Sequence, residues 1–186
     1  MLAFDIETMG LDAGTHTMTC VCVYDPDRRI QEEFIFEQGD QHPGPAPARL
    51  LAMLDEADRL CAFNGARFDL PFIARRWAVP PERVGRWMLK LVDIFEMCKL
   101  GLNKTFSLNR LLAANGMESK TGTGMNAVHL AQKGDWAALA AYCMQDTVKT
   151  HAVTSLDLVL LPGLPFACRP LLYGPLFVSM HRPPRA

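Results

Sequence analysis

A chain of 186 residues, 49% hydrophobic and 21% charged, can bury one core and has the composition of a soluble globular protein. Its formal net charge of −1 argues against a uniformly basic polyanion binder. No run reaches the ~18 uninterrupted apolar residues of a membrane span, and Asp5 and Glu7 break the first apolar stretch before it can act as a secretory signal. A cytoplasmic or nucleoid-associated protein with no membrane partner is therefore expected, not a secreted one.

In chain order, residues 1–5 read as a short buried strand. "MTCVCVYD" (18–25) reads as a second and "IQEEFIFE" (30–37) as a third, with Pro26 turning the chain between them. "GDQHPGPAP" (39–47) is a loop by composition, and "ARLLAMLDEA" (48–57) carries apolar residues at helical spacing. Strand 59–64 leads into a helix over 66–79, with Pro71 near its first turn, and strand 88–95 follows. Helices are then expected over 106–115, 126–133 and about 135–158, the last capped by Asp135. The alternation gives an α/β fold with a mixed central sheet of about five strands flanked by helices. Residues 1–160 form the expected domain. Residues 161–186 hold six of the thirteen prolines and read as an extended arm or a partner-binding tail.

Charge is uneven along this layout. Between Arg67 and Lys120, ten Lys/Arg face five Asp/Glu, a local +5, whereas the remainder carries nine against fifteen. A basic middle on a near-neutral chain suits modest contact with phosphates. Six cysteines lack a CxxC pair and read as reduced, mostly buried thiols, and the C-x-C of Cys20 and Cys22 has no second pair to complete a zinc site.

The chemistry sits in the acids. Asp5 and Glu7 in "FDIET" are one residue apart, so on a strand both carboxylates point the same way. They raise each other's pKa unless a cation lies between them. "FNGARFDLPFI" (63–73) adds Asp69 at a strand–helix junction, and "YCMQD" (142–146) places Tyr142 and Asp146 on one helix face. Four carboxylates with no His or Cys among them form a hard-oxygen set suited to Mg²⁺ or Mn²⁺. Two such ions about 3.5–4 Å apart stabilise the attacking and leaving oxygens of an in-line phosphoryl displacement. Glycosidase chemistry, which needs one protonated carboxyl and no metal, fits less well. Asp93 in "LVDIF" reads as a structural strand-end residue.

The ordered trio of motifs resembles the three exonuclease motifs of the DEDD superfamily of 3′–5′ exonucleases, built on the ribonuclease H-like fold. Y-x-x-x-D resembles the DEDDy branch, and "FNGARFDLPFI" and "FSLNRLLAANGMESK" are similar to the proofreading domain of B-family DNA polymerases and to stand-alone polymerase-B-like exonucleases. The resemblance spans roughly residues 1–150. The histidine branch requires His five positions before the last Asp, where this chain has Ala141; His151 lies on the wrong side.

The resemblance implies a metal-dependent 3′–5′ exonuclease that releases nucleoside monophosphates from single-stranded or frayed 3′ ends, DNA favoured, using two Mg²⁺ or Mn²⁺ ions. Asp5 is expected to bridge both ions, Glu7 and Asp146 to complete the tighter site, and Asp69 to hold the second through water. Tyr142, whose phenol at pKa ~10 is a poor base, is expected to orient the attacking water. Softer expectations place Thr8 at the terminal 3′-hydroxyl, Leu11 against the last base, Asn64 and Phe68 along the strand and Lys120 at a phosphate. Partners are a nucleic acid with a free 3′ end and, for proofreading or repair, a separate polymerase. Two alternatives stand beside this: a ribonuclease H-type endonuclease and a catalytically idle nucleic-acid-binding or assembly module.

Overall fold

In a computed structural model, which describes residues 1–40, 45–120, 124–164 and 167–168, a strand buried on both faces forms the middle of the molecule. β1 (Leu2–Thr8) alternates its side chains between two apolar layers. Leu2, Phe4 and Ile6 join Val21 and Val23 in a core closed by helices α1 (Pro45–Glu56), α2 (Asp69–Arg76) and α3 (Pro81–Leu89). The opposite face meets α6 (Gly124–Lys133) and the long α7 (Trp136–Thr154), whose Leu139, Tyr142 and Cys143 pack with Cys20 and Cys22. Helices on both faces of one sheet is the stable way to bury a strand apolar on both sides.

The sheet has five strands in the order β3-β2-β1-β4-β5. β2 (Met18–Asp25) and β3 (Ile30–Ile35) pair antiparallel as a meander with β1, while β4 (Leu60–Ala62) and β5 (Leu91–Asp93) run parallel to it. The sheet is therefore mixed, as the alternation of elements predicts. A second, small sheet pairs β6 (Val159–Leu160) with β7 (Ala167–Cys168). It packs with α4 (Ile94–Leu102) and α5 (Leu108–Ala114) in a satellite cluster around Leu111, Val153 and Val159. Of the expected arm, 161–164 form a turn and Ala167–Cys168 pair back on Val159–Leu160; most of the rest lies outside the described residues.

Three expectations need correcting. β1 runs on through Thr8 because β2 pairs with it from Ala3 to Thr8, so Asp5 and Glu7 lie within the strand. On the other side β4 reaches only Leu2 and Ala3, and the acids do lie beyond that edge. The expected strand 88–95 is strand only over Leu91–Asp93: α3 fills the approach and α4 starts at once, because Asp93 caps it by accepting the Glu96 N–H at 3.1 Å. The loop expected to run to residue 47 ends by Pro45, where α1 begins.

Candidate active site

Three parts of the chain meet at one cleft of about 510 Å³. β1 supplies Asp5 and Glu7, paired across the ladder with Cys22 and Cys20. Phe4 and Ile6, buried in the layer under α1–α3, occupy the alternate positions, and this phase turns both carboxylates toward α7.

The turn between β4 and α2 supplies the second part. Asn64 adopts a left-handed φ of 67°, and at Gly65 an added Cβ would lie 2.4 Å from that of Ala62. Only glycine permits so close a passage. Asp93 fastens this turn by accepting the N–H groups of Asn64 and Ala66, each at 3.0 Å. Its carboxylate is committed to backbone, as expected of a structural residue. Asp69 then opens α2, buried at 3% exposure, with Oδ1 accepting the Ile6 N–H at 3.2 Å. This contact takes the place of the ladder where β4 has ended.

α7 supplies the third part. Asp135 caps it by accepting the Ala138 N–H at 3.2 Å, as the sequence predicts. Tyr142, Asp146 and Thr150 face the cleft. Lys120 reaches in beside them, its Nζ 2.5 Å from Asp146 Oδ2 and 5.6 Å from the centre of the Tyr142 ring. Asn109 of α5 holds the Lys120 backbone, accepting its N–H at 2.7 Å.

Asp5, Glu7, Asn64, Phe68, Lys120, Tyr142 and Asp146 therefore line one cavity. Asp69 lies just beneath it, near enough to raise the pKa of Asp5. Thr8 and Leu11 are not in its lining: the Thr8 hydroxyl donates to the Gly10 carbonyl at 2.7 Å, and Leu11 is 85% exposed on the loop beyond. Phe68 serves both the cleft and the core, its ring tilted against that of Phe72 with centres 5.5 Å apart. Sequence reasoning missed Asn109, which sits in the singled-out "FSLNRLL", and the Phe63–Phe95 pair, 5.6 Å apart along one wall. Phe63 directly precedes Asn64, so its motif carried the signal; Phe95 follows Asp93 by two residues and carried none.

The electrostatics are those of an acid cluster short of positive charge. Burial, then Asp69, Glu7 and Asp146, push Asp5 well above the usual carboxylate range. Burial and Asp146 raise Glu7 to about 8, and burial and Asp93 raise Asp69 to about 8. Burial also lifts Asp146 despite the Lys120 contact, and lifts Tyr142 to about 12. Burial pulls the Lys120 ammonium down, but Asp146 outweighs it and the net shift is upward. Among the described residues, the buried Tyr142 hydroxyl and Asp146 Oδ1 make no hydrogen bond of ordinary geometry. Unsatisfied buried oxygens and destabilised carboxylates are the features a divalent cation and its water would relieve. The donor oxygens suit a hard ion such as Mg²⁺ or Mn²⁺.

A family model described as the RNase H superfamily matches residues 2–156. Among solved structures, a family B DNA polymerase from the hyperthermophilic archaeon Pyrobaculum calidifontis is similar with a TM-score of 0.64 at 18% identity. The similarity covers 82% of this chain and 24% of the polymerase, so the chain spans about a quarter of that protein. The apo form of a nuclease is similar with a TM-score of 0.53 at 20% identity, over 81% of this chain and 68% of that one. No curated protein matches the chain.

Proposed function

Because the chain belongs to the RNase H superfamily, we propose that it is a metal-dependent 3′–5′ exonuclease that hydrolyses terminal phosphodiester bonds and releases nucleoside monophosphates. The observation that carries this is the meeting of Asp5, Glu7, Asp146 and the buried Tyr142 hydroxyl at one open cleft, with Asp69 buried beneath. Mg²⁺ or Mn²⁺ ions, held by Asp5, Glu7, Asp69 and Asp146, would supply charge neutralisation at the phosphate and lower the pKa of the attacking water.

The chain's own groups do the rest. Glu7 and Tyr142 hold and aim the water; with its phenol at about 12, Tyr142 stays protonated and orients rather than accepts a proton. Lys120 is placed to meet a phosphate oxygen once a cation takes over its role beside Asp146. Phe63, Phe68 and Phe95 offer flat faces on which an unpaired terminal base can stack. Likeness to the fold of a DNA polymerase favours DNA over RNA.

The test is degradation of matched DNA and RNA strands, 5′-labelled, with free or blocked 3′ ends, in Mg²⁺ or Mn²⁺. A ladder shortening from the free 3′ end, absent with a blocked end and with EDTA, is expected. Cleavage of a circular single strand or of an RNA–DNA hybrid at internal sites would replace the exonuclease by an endonuclease. Binding without hydrolysis in either metal would leave an idle binding module.

A further inference from the structure

The C-x-C of β2 finds its missing partner in α7. Cys20 and Cys22, one residue apart on the strand, turn both thiols to the same face, with the Sγ atoms 3.8 Å apart. Cys143 closes the triangle: all three Sγ atoms lie within 4.8 Å of one another, and all three residues are fully buried. Every one of these cysteines is a free thiol. Their other contacts are long and weak, Cys22 Sγ to the Ala140 carbonyl at 3.6 Å and Cys143 Sγ to the Asp5 carbonyl at 3.5 Å.

A tetrahedral ion with metal–sulfur bonds of about 2.3 Å spaces its sulfurs about 3.8 Å apart. The Cys20–Cys22 separation already has that value, and Cys143 Sγ lies within 4.8 Å of both. We propose that Cys20, Cys22 and Cys143 form a binding site for a soft divalent cation of the zinc class, separate from the hard-oxygen site in front of it. The thiols supply three of the four ligands such an ion takes. Carboxylate oxygens of Asp5 and Glu7 lie within 4.8 Å of Cys143 Sγ but group with that thiol and not with the Cys20–Cys22 pair, so they stay with the hard-oxygen site. Asp5 and Glu7 line the cleft, so Cys143 is the thiol of the trio that stands next to it. Each thiol that ligates releases its proton to solvent, so uptake weakens at low pH. Hard Mg²⁺ avoids thiolates, and the two sites divide the ions by chemistry. The bland competitor is a trio of small apolar side chains filling a core.

Co²⁺ or Cd²⁺ added to the reduced, metal-free full chain discriminates between them, and this test does not depend on the nuclease reading. A thiolate-to-metal charge-transfer band saturating at one ion per chain, insensitive to excess Mg²⁺, is expected. C143A should lose at least a third of that band, and the C20A/C22A double variant should lose nearly all of it. C61A and C98A/C168A, which leave the trio intact, should keep it. The wild-type titration decides the matter even where a variant fails to fold: no charge-transfer band at equimolar ion overturns the proposal. So does a band that survives unchanged in C20A/C22A or disappears in C98A/C168A.

Discussion

Asp40 and Asp69 are buried to nearly the same degree, 2% and 3% exposed, yet their circumstances are opposite. Asp40 is met by Arg76 through two contacts, Nη2 to Oδ1 at 2.5 Å and Nε to Oδ2 at 2.7 Å, and it accepts the Met18 N–H at 3.3 Å. Asp69 receives backbone N–H groups but, among the described residues, no cationic side chain, and its neighbouring charges are Asp5 and Asp93. Where the chain supplies the counter-ion, a buried carboxylate ties elements together, here α2 to the turn after β3. Where it supplies too little, the folded state carries a standing electrostatic cost that ligand can relieve. Lys120 offsets part of that cost at Asp146.

The largest way to break this contrast is to remove cleft acids. Asp5→Ala and Asp146→Ala should each lower Mg²⁺-dependent cleavage of a labelled oligonucleotide about 10³-fold or more, equivalent to roughly 4 kcal/mol of barrier. Wild-type rates in both would mean that the cleft is not the active site. Arg76→Ala tests the other side: with Asp40 left buried and unpaired, unfolding in urea should become easier by about 3–5 kcal/mol. Its charge counterpart in the cleft, Asp5→Asn, should instead raise the melting temperature of EDTA-treated protein.

The third prediction concerns pH. Glu7 and Asp69 each sit at about 8 in the fold, against ordinary values of 4.5 and 3.8. Between those limits the folded state holds more protons than the unfolded chain, so stability falls as pH rises. Thermal melts in EDTA should therefore decline from about pH 4 to about pH 8 and then level off, and millimolar Mg²⁺ should flatten the decline. A melting temperature independent of Mg²⁺ at pH 8 would argue that the acids hold no ion. The smallest effect belongs to Tyr142→Phe. Losing only an orienting hydroxyl should cost roughly tenfold in rate, about 1.4 kcal/mol, with the metal requirement unchanged.

Much of this was legible in the chain. The first strand, though not its continuation to Thr8, the strand over 18–25 and the Asp135 cap depend on neighbours in sequence, and the acids could be read as one set because each lies on the face or at the start of an element. What escaped depends on distance. Arg76 is 36 residues from Asp40, and Cys143 is more than 120 from Cys20; neither pairing leaves a local trace. α3 and α4 escaped for another reason. They flank a strand of only three residues, too short for its period to separate it from the helices on either side.

Asp69 serves two masters. Its carboxylate closes the gap where β4 stops short of Ile6, and its charge is one of those that raise Asp5. A single residue thereby couples how well the strand edge is sealed to how the acids above it behave. A substitution at this position therefore acts on both at once: it alters the seal at Ile6 and removes one of the charges that raise Asp5.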